Sequence, residues 1–286
     1  MNIDVSAIRL KIQSLLLGLD TSQHGLLCAS TFKAIKTSNH GGPKAKYLKI
    51  ISSAIREENL YPDEVLVWLG AINWKKDPVR AIRIIGFILH LLGPSTFAAF
   101  SEESADLALI LLMNVMDYWG RPQAHVGFSH WDSPLVKAKL SNLVVYARNK
   151  VTLLRNRSDL PMFADNNEWN KSLSGQERAK ILSLTLPSTG QLIDAITALD
   201  KPGPDTAAEQ AAFRASIPLL LADLKHFFKV NSVLVVAVVR DEAVEELMRE
   251  ALKEEFLDLR KRLEGIEILV RGARETIFAE KDFPKL

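Results

Sequence analysis

Apolar residues recur every three or four positions along almost the whole sequence, which is the spacing of one face of an α-helix. The stripe that begins Val5, Ile8, Ile12 and Leu15 predicts an amphipathic first helix. Proline and glycine divide the rest of the pattern into segments of helical length. The sequence therefore predicts an all-α protein of about ten helices, arranged either as a stacked α-solenoid or as an irregular bundle.

Capping and breaking residues set the expected helix boundaries. We expect helices from Gly25 to Lys36, from Pro43 through Ile55, from Pro62, from Pro78 to Leu92 behind an Asp77 N-cap, from Glu102 to Tyr118, from Ser133 to Leu154, from Gln176 to Leu199 with a kink or break at Pro187, from Thr206 into the 230s, and over Glu242 to Phe278 as one or two helices. Arg155 to Ser174 is the least regular stretch and predicts a long connection. Val230 to Val239 is rich in valine, but no partner strand is evident, so we predict a buried helix.

Composition and charge exclude several classes of protein. Hydrophobic residues make up 48% of the 286 residues and charged residues 24%, which is typical of a folded globular chain. The formal net charge of +2 argues against a nucleic-acid binder. The single cysteine, Cys28, excludes an intramolecular disulfide and a cysteine-based zinc site. With no signal peptide and no apolar run long enough to span a bilayer, we expect a cytoplasmic protein.

The small net charge conceals an asymmetry along the chain. Residues 1–50 contain seven basic and two acidic residues, which gives +5, so the remainder sums to −3. This distribution predicts a basic N-terminal surface that faces an anionic partner.

The segment from Phe32 to Lys49 concentrates this charge around one predicted turn. The paired glycines Gly41 and Gly42 allow a backbone to come close to a ligand. If Pro43 starts the next helix, Lys44 and Lys46 lie in its first turn, where the helix dipole disfavours each cation by about 0.3–1 kcal/mol unless an anion binds there.

Other side chains extend the candidate site. Lys33 and Lys36 lie one turn apart and face it from the preceding helix, Lys49 follows on the next helix, and His40 and Tyr47 offer hydrogen-bond donors. Together with free amides at a helix start, these groups predict a surface site for a polyphosphate or a lipid headgroup. The alternative is that the lysines only solvate a surface turn.

Lys33-Ala34-Ile35 and Pro43-Lys44-Ala45-Lys46-Tyr47 together resemble the phosphoinositide motif of the ANTH domain, the membrane-binding head of CALM-type clathrin adaptors. The sequence departs from the family pattern in having one extra residue between Ile35 and Pro43, and in having Tyr47 where histidine is commoner. A weaker similarity extends over almost the whole chain.

The resemblance implies a right-handed helical superhelix and a single ANTH-like domain over 1–286. Helices within 1–160 would carry the lipid site, and 174–286 would form a C-terminal helical extension. It also implies that Lys33, Lys44, Lys46 and Tyr47 contact the phosphates of phosphatidylinositol 4,5-bisphosphate, with Lys36, His40 and Lys49 in secondary positions.

The implied function is membrane recruitment of a clathrin-mediated endocytosis adaptor at the plasma membrane, coated pits or endocytic vesicles. Clathrin-coat components and a vesicle SNARE are the implied protein partners.

No nucleophile elbow, phosphate-binding loop or zinc-protease motif is present, so we expect no enzyme, no cofactor and no catalytic residue. His125 and His130 are too unspecific in spacing to predict a metal site. The alternative function is a helical protein-interaction scaffold whose basic turn is incidental.

Overall fold

The structure is a computed structural model that describes residues 23–36, 41–93, 96, 99–121, 128–155, 173–264, 267–270 and 273–276. Most of these residues are helical, so the prediction of a helical fold class is confirmed over the described part of the chain, apart from two short strands. The elements are α1 (Gln23–Ile35), α2 (Ala45–Arg56), α3 (Pro62–Gly70), α4 (Pro78–Leu91), α5 (Glu102–Trp119), a 3-10 turn (Ser129–Asp132), α6 (Pro134–Arg155), α7 (Gly175–Asp200), α8 (Ala207–Arg214), α9 (Ile217–Val239), α10 (Glu246–Leu263), β1 (Glu267–Val270) and β2 (Ala273–Thr276).

Local capping chemistry sets several of these boundaries. The predicted N-cap at Asp77 is confirmed, because its Oδ1 accepts hydrogen bonds from the amides of Val79 at 3.0 Å and Arg80 at 3.3 Å. Ser174 and Thr206 each form a capping box with a glutamate three residues later. The predicted helix over Val230 to Val239 is confirmed as the end of α9.

The helix expected from Pro43 begins two residues later. Lys44 is the N-cap, with extended backbone at φ −69° and ψ 113°, and Ala45 is the first helical residue. Lys44 is held there because its amide donates to the carbonyl of Ala34 at 3.0 Å rather than continuing a helical ladder. Lys46 remains in the first turn as predicted.

Proline accounts for two further differences. The helix expected from Thr206 into the 230s is divided into α8 and α9, because Pro218 would clash with the carbonyl four residues earlier and is tolerated only in a first turn. At Pro187 a break is wrong as an expectation, because α7 continues through that residue, and a kink there stays a prediction.

The prediction of helix throughout Glu242 to Phe278 is wrong after Leu263, where α10 ends. Strands β1 and β2 pair antiparallel, with Val270 opposite Ala273. The predicted first helix, and nearly all of the connection predicted from Arg155 to Ser174, lie outside the described residues.

The described residues group into two compact units. Unit 1 contains the residues up to Arg155 together with Pro202–Ser216, and unit 2 contains 156–201 and Ile217–Leu286. Helix α8 therefore belongs to the first unit although it follows α7 in the chain. The single domain with subdivisions at 1–160 and 174–286 stays a prediction.

Buried polar contacts bind α8 into unit 1. Lys139 Nζ donates to Asp205 Oδ2 at 2.7 Å, and both side chains are almost fully buried. Glu209 accepts from the indole of Trp131 at 2.7 Å and pairs with His130 at 2.8 Å. Because buried charges are costly without partners, these contacts specify where α8 packs.

In unit 2, one buried asparagine joins two long helices. Thr185 of α7 donates to Asn231 Oδ1 on α9 at 2.5 Å, and Asn231 Nδ2 donates to Thr189 Oγ1 at 2.9 Å. A satisfied buried network of this kind favours one register of α7 against α9. Within the described ranges, no helix combines the length and apolar character needed to cross a membrane.

Candidate functional site

The end of α1 and the start of α2 are joined by a main-chain hydrogen bond. The amide of Lys44 donates to the carbonyl oxygen of Ala34 at 3.0 Å. Ala34 follows Lys33 directly, so the structure brings the backbone of the two halves of the predicted motif into contact. Lys36 remains attached to the end of α1, since its amide donates to the carbonyl of Phe32 at 3.0 Å.

The lysines of this site lie at the protein surface. Lys33, Lys36, Lys46 and Lys49 are exposed, and Lys44 is half-buried. None of the five forms an ion pair or a side-chain hydrogen bond with a described residue. Such a group of cations without described counter-charges attracts an anion.

Lys46 and Tyr47 lie next to each other at the start of α2. The Nζ of Lys46 is 6.0 Å from the centre of the Tyr47 ring, and Tyr47 itself is half-buried. The contact is compatible with a weak cation–π attraction that keeps the ammonium near the helix start. His40, the remaining predicted site residue, lies outside the described residues.

The first turn of α2 offers backbone donors beside the lysines. The N-cap Lys44 makes no side-chain capping hydrogen bond, and among the described residues the amides of Ala45 and Lys46 have no acceptor. Free amides at the positive end of a helix dipole bind phosphate oxygens. These amides add directional donors to the lysine charges, which lack a fixed geometry.

The two glycines of the turn contact protein rather than a ligand. Gly41 has a φ of +72°, and a Cβ there would lie 2.3 Å from the carbonyl oxygen of Ala211. A Cβ on Gly42 would lie 2.6 Å from the Cβ of Ala215. The close approach that these glycines allow is therefore to Ala211 of α8 and to Ala215 after it, and an approach to a ligand stays a prediction.

Arg83 of α4 binds the backbone on both sides of the α1–α2 connection. The sequence did not lead us to expect this role. Its side chain is 2% exposed, its Nε donates to the carbonyl of Gly41, and its Nη1 donates to the carbonyl of Ile35 at 3.3 Å. Burial lowers the pKa of the Arg83 guanidinium, while the charge of Asp77 acts in the opposite direction. The available signal was a lone arginine within the apolar run AIRIIGFIL, since a charge there needs buried partners.

The site is therefore an open cationic surface supported by a buried arginine. Lys33 lies in the last turn of α1 and Lys36 directly follows it, whereas Lys44, Lys46, Tyr47 and Lys49 lie at or after the start of α2, where the Lys44 amide bonds to Ala34. Over the described ranges, no group of three or more histidine, cysteine, aspartate or glutamate residues could hold a metal ion.

No family model matches this chain, and a search of curated proteins finds no significant sequence relative. The resemblance to the ANTH motif consequently depends on the residues around the α1–α2 connection and on the weak pattern beyond them.

Proposed function

We propose that this chain is a phosphoinositide-binding module that recruits its protein to a membrane. Lys33, Lys44, Lys46 and Tyr47 take the phosphates of phosphatidylinositol 4,5-bisphosphate. Lys36, His40 and Lys49 are secondary contacts for the headgroup. The interaction is reversible headgroup binding at the protein surface, without catalysis.

The observation that carries this proposal is the hydrogen bond from the Lys44 amide to Ala34. It brings together two helix ends that both carry exposed lysines, beside the free amides of Ala45 and Lys46. Each basic residue near an anionic leaflet contributes about 1 kcal/mol, so four or five of them give weak, salt-sensitive recruitment. The bisphosphate headgroup adds specificity because its phosphates can accept from fixed amides and mobile ammonium groups together.

The wider setting of the proposal comes from the resemblance. By this resemblance, we propose that the helices form a right-handed ANTH-like superhelix and that the protein acts as a clathrin-mediated endocytosis adaptor. It works at the cytoplasmic face of the plasma membrane, coated pits or endocytic vesicles, with coat components and a vesicle SNARE as protein partners.

Vesicle co-sedimentation tests the proposal. Wild-type protein should pellet with phosphatidylcholine vesicles that contain phosphatidylinositol 4,5-bisphosphate and remain in solution with phosphatidylcholine alone. The double variant Lys44→Glu/Lys46→Glu should lose this binding. The matched control is Lys201→Glu/Lys261→Glu, which makes the same charge change at two exposed positions of unit 2. Equal binding by wild type and Lys44→Glu/Lys46→Glu would refute the site.

A protein-interaction scaffold is the second candidate function, and one observation favours it. Leu247 and Met248 are adjacent at the start of α10 and are 79% and 47% exposed. Exposed apolar neighbours of this kind are common at protein-binding surfaces. This candidate predicts a protein partner that binds the Lys44→Glu/Lys46→Glu variant as well as wild type and is lost with Leu247→Ser/Met248→Ser.

A further inference from the structure

The α1–α2 and α3–α4 connections lie at the same end of unit 1. Arg83 reaches the carbonyls of Ile35 and Gly41 from a position five residues after Pro78, where α4 begins. At 1.5 Å per residue, the start of α4 is about 8 Å along its axis from this contact. Tyr118, near the end of α5, lies at this end too, since its ring is 5.8 Å from that of Trp74.

Separate contacts define the opposite end. The start of α1 lies beside α3, because His24 Nε2 is 3.8 Å from Glu64 Oε1 and the His24 ring is 5.1 Å from that of Trp68. The second half of α2 meets the end of α4, where Ser52 Oγ is 2.9 Å from His90 Nε2. The helices of unit 1 that carry charge clusters therefore run between two distinct ends.

The two ends carry opposite charge. The stretches 33–49 and 75–80 contain eight basic residues and one acidic residue, which gives +7 at the first end. Residues 102–106 lie about 20 Å along the axis of α5 from Tyr118. Together with 56–64 they contain seven acidic residues against Arg56, and α6 adds Arg148 and Lys150, which gives −4. Unit 1 is therefore polarised along its helices, and an anionic surface attracts its first end.

The cations of the α3–α4 connection form a patch of their own at this end. Lys75 and Lys76 are exposed, and Lys75 Nζ lies 5.6 Å from the Trp74 ring centre and 5.7 Å from that of Tyr118. The two rings limit where the Lys75 ammonium can lie. Arg80 completes the patch and pairs with Asp77 at 3.0 Å.

The helix start beside this patch differs from that of α2. The amides of Val79 and Arg80 already donate to the Asp77 carboxylate, so they are not available to a phosphate. The same carboxylate repels a highly charged headgroup. What remains is attraction of these positively charged side chains to diffuse negative charge, which suits a leaflet of singly charged lipid better than a bisphosphate.

We propose that Lys75 and Lys76, assisted by Arg80, form a second membrane contact that binds monoanionic phospholipid such as phosphatidylserine. This inference rests on the proposed headgroup site, which supplies the first contact. Two contacts at one end hold unit 1 with its helix ends towards the bilayer and its acidic end away from it.

The test compares Lys75→Gln/Lys76→Gln with wild type, because glutamine removes the charge and keeps an unbranched polar side chain. Binding is measured to vesicles of phosphatidylcholine with phosphatidylserine, to the same vesicles with added phosphatidylinositol 4,5-bisphosphate, and to soluble inositol trisphosphate. The matched control is Arg56→Gln/Arg148→Gln, which removes two charges from the opposite end.

We expect Lys75→Gln/Lys76→Gln to weaken binding to both kinds of vesicle on the order of tenfold. Its affinity for soluble inositol trisphosphate should be unchanged, and the Arg56→Gln/Arg148→Gln control should bind like wild type in all three assays.

Three results would overturn the second contact. These are unchanged vesicle binding by Lys75→Gln/Lys76→Gln, equal weakening by the control, or loss of soluble headgroup affinity in Lys75→Gln/Lys76→Gln. Failure of the proposed headgroup site would differ from failure of the second contact, because the wild-type protein would then not bind inositol trisphosphate.

Discussion

The buried guanidinium of Arg83 donates to the carbonyl oxygen of Ile35 at 3.3 Å, at the last residue of α1. The same side chain donates to Gly41, so it connects the two sides of the segment that separates Lys36 from Lys44. Carbonyl groups at a helix end need partners when they are buried. Arg83 supplies them, and it also adds positive charge beneath the surface lysines.

Replacing Arg83 with lysine should weaken headgroup binding at the candidate site, although none of the site's lysines is changed. Lysine keeps the charge but not the planar fork that reaches two carbonyls. We expect a loss of about 2–3 kcal/mol in the free energy of unfolding from the lost charged hydrogen bonds. Soluble headgroup affinity should fall several-fold at a temperature where the variant is folded. An Arg83→Lys variant with wild-type stability and headgroup affinity would show that Arg83 does not support the site in this way.

Gly41 and Gly70 form a matched pair for alanine substitution. Gly41→Ala would place a methyl group against the backbone of Ala211 at a positive φ, so we expect a loss of more than about 2 kcal/mol. Gly70 ends α3 and is exposed, and a Cβ added there would have no atom within 4 Å, so Gly70→Ala should be neutral or gain up to about 1 kcal/mol. Urea unfolding of both variants measures the contrast, and equal effects would contradict close packing at Gly41.

The buried pair Lys139 and Asp205 should behave as one unit. Lys139→Met leaves the Asp205 carboxylate buried without its cation, so we expect a loss of about 3–5 kcal/mol. The double variant Lys139→Met/Asp205→Asn should lose less than this single variant, because no uncompensated charge remains. A double-mutant cycle in urea gives the coupling, and purely additive losses would show that the two residues act independently.

His90 should make stability depend on pH. Burial, assisted by the charge of Lys150, lowers the pKa of His90 below its ordinary value of 6.5. The unfolded chain therefore takes up a proton more readily, so the stabilising contribution is complete above about pH 6.5 and is lost as the pH falls below it.

The measurement for His90 is the urea midpoint at about pH 8 and about pH 5, in wild type and in His90→Gln. We expect the wild-type midpoint to fall more than that of the variant, since glutamine has no proton to gain. Equal falls in both proteins would show that other groups control the acid response.

Features determined by neighbouring residues could be predicted from the sequence, and features determined by distant contacts could not. The Asp77 cap follows from a carboxylate two and three residues before the amides it accepts from. In contrast, the roles of Gly41 and Arg83 depend on Ala211 and on the α1–α2 connection, which are far from them in the sequence. Glycine permits both a ligand and a packed helix, and only the tertiary arrangement distinguishes these uses.

The same distinction between local and distant contacts applies to the candidate site and to the elements that were missed. The contact between the two halves of the lysine motif is local, because α1 and α2 are adjacent in sequence and the Lys44 amide bonds to Ala34. The strand at Glu267–Val270 was missed because its apolar residues also fit the helical pattern that precedes it. Pro218 was an available signal for the break before α9, since proline is favoured in a first helical turn.

The most direct test of the headgroup site is a backbone NMR titration with soluble inositol 1,4,5-trisphosphate. If the phosphates bind at the start of α2, the amide resonances of Ala45 and Lys46 should shift most, and the shifts should disappear in Lys44→Glu/Lys46→Glu. Saturable shifts that are centred elsewhere, or no shifts at an ionic strength where vesicles bind, would contradict the assignment of the α1–α2 connection as the phosphoinositide site.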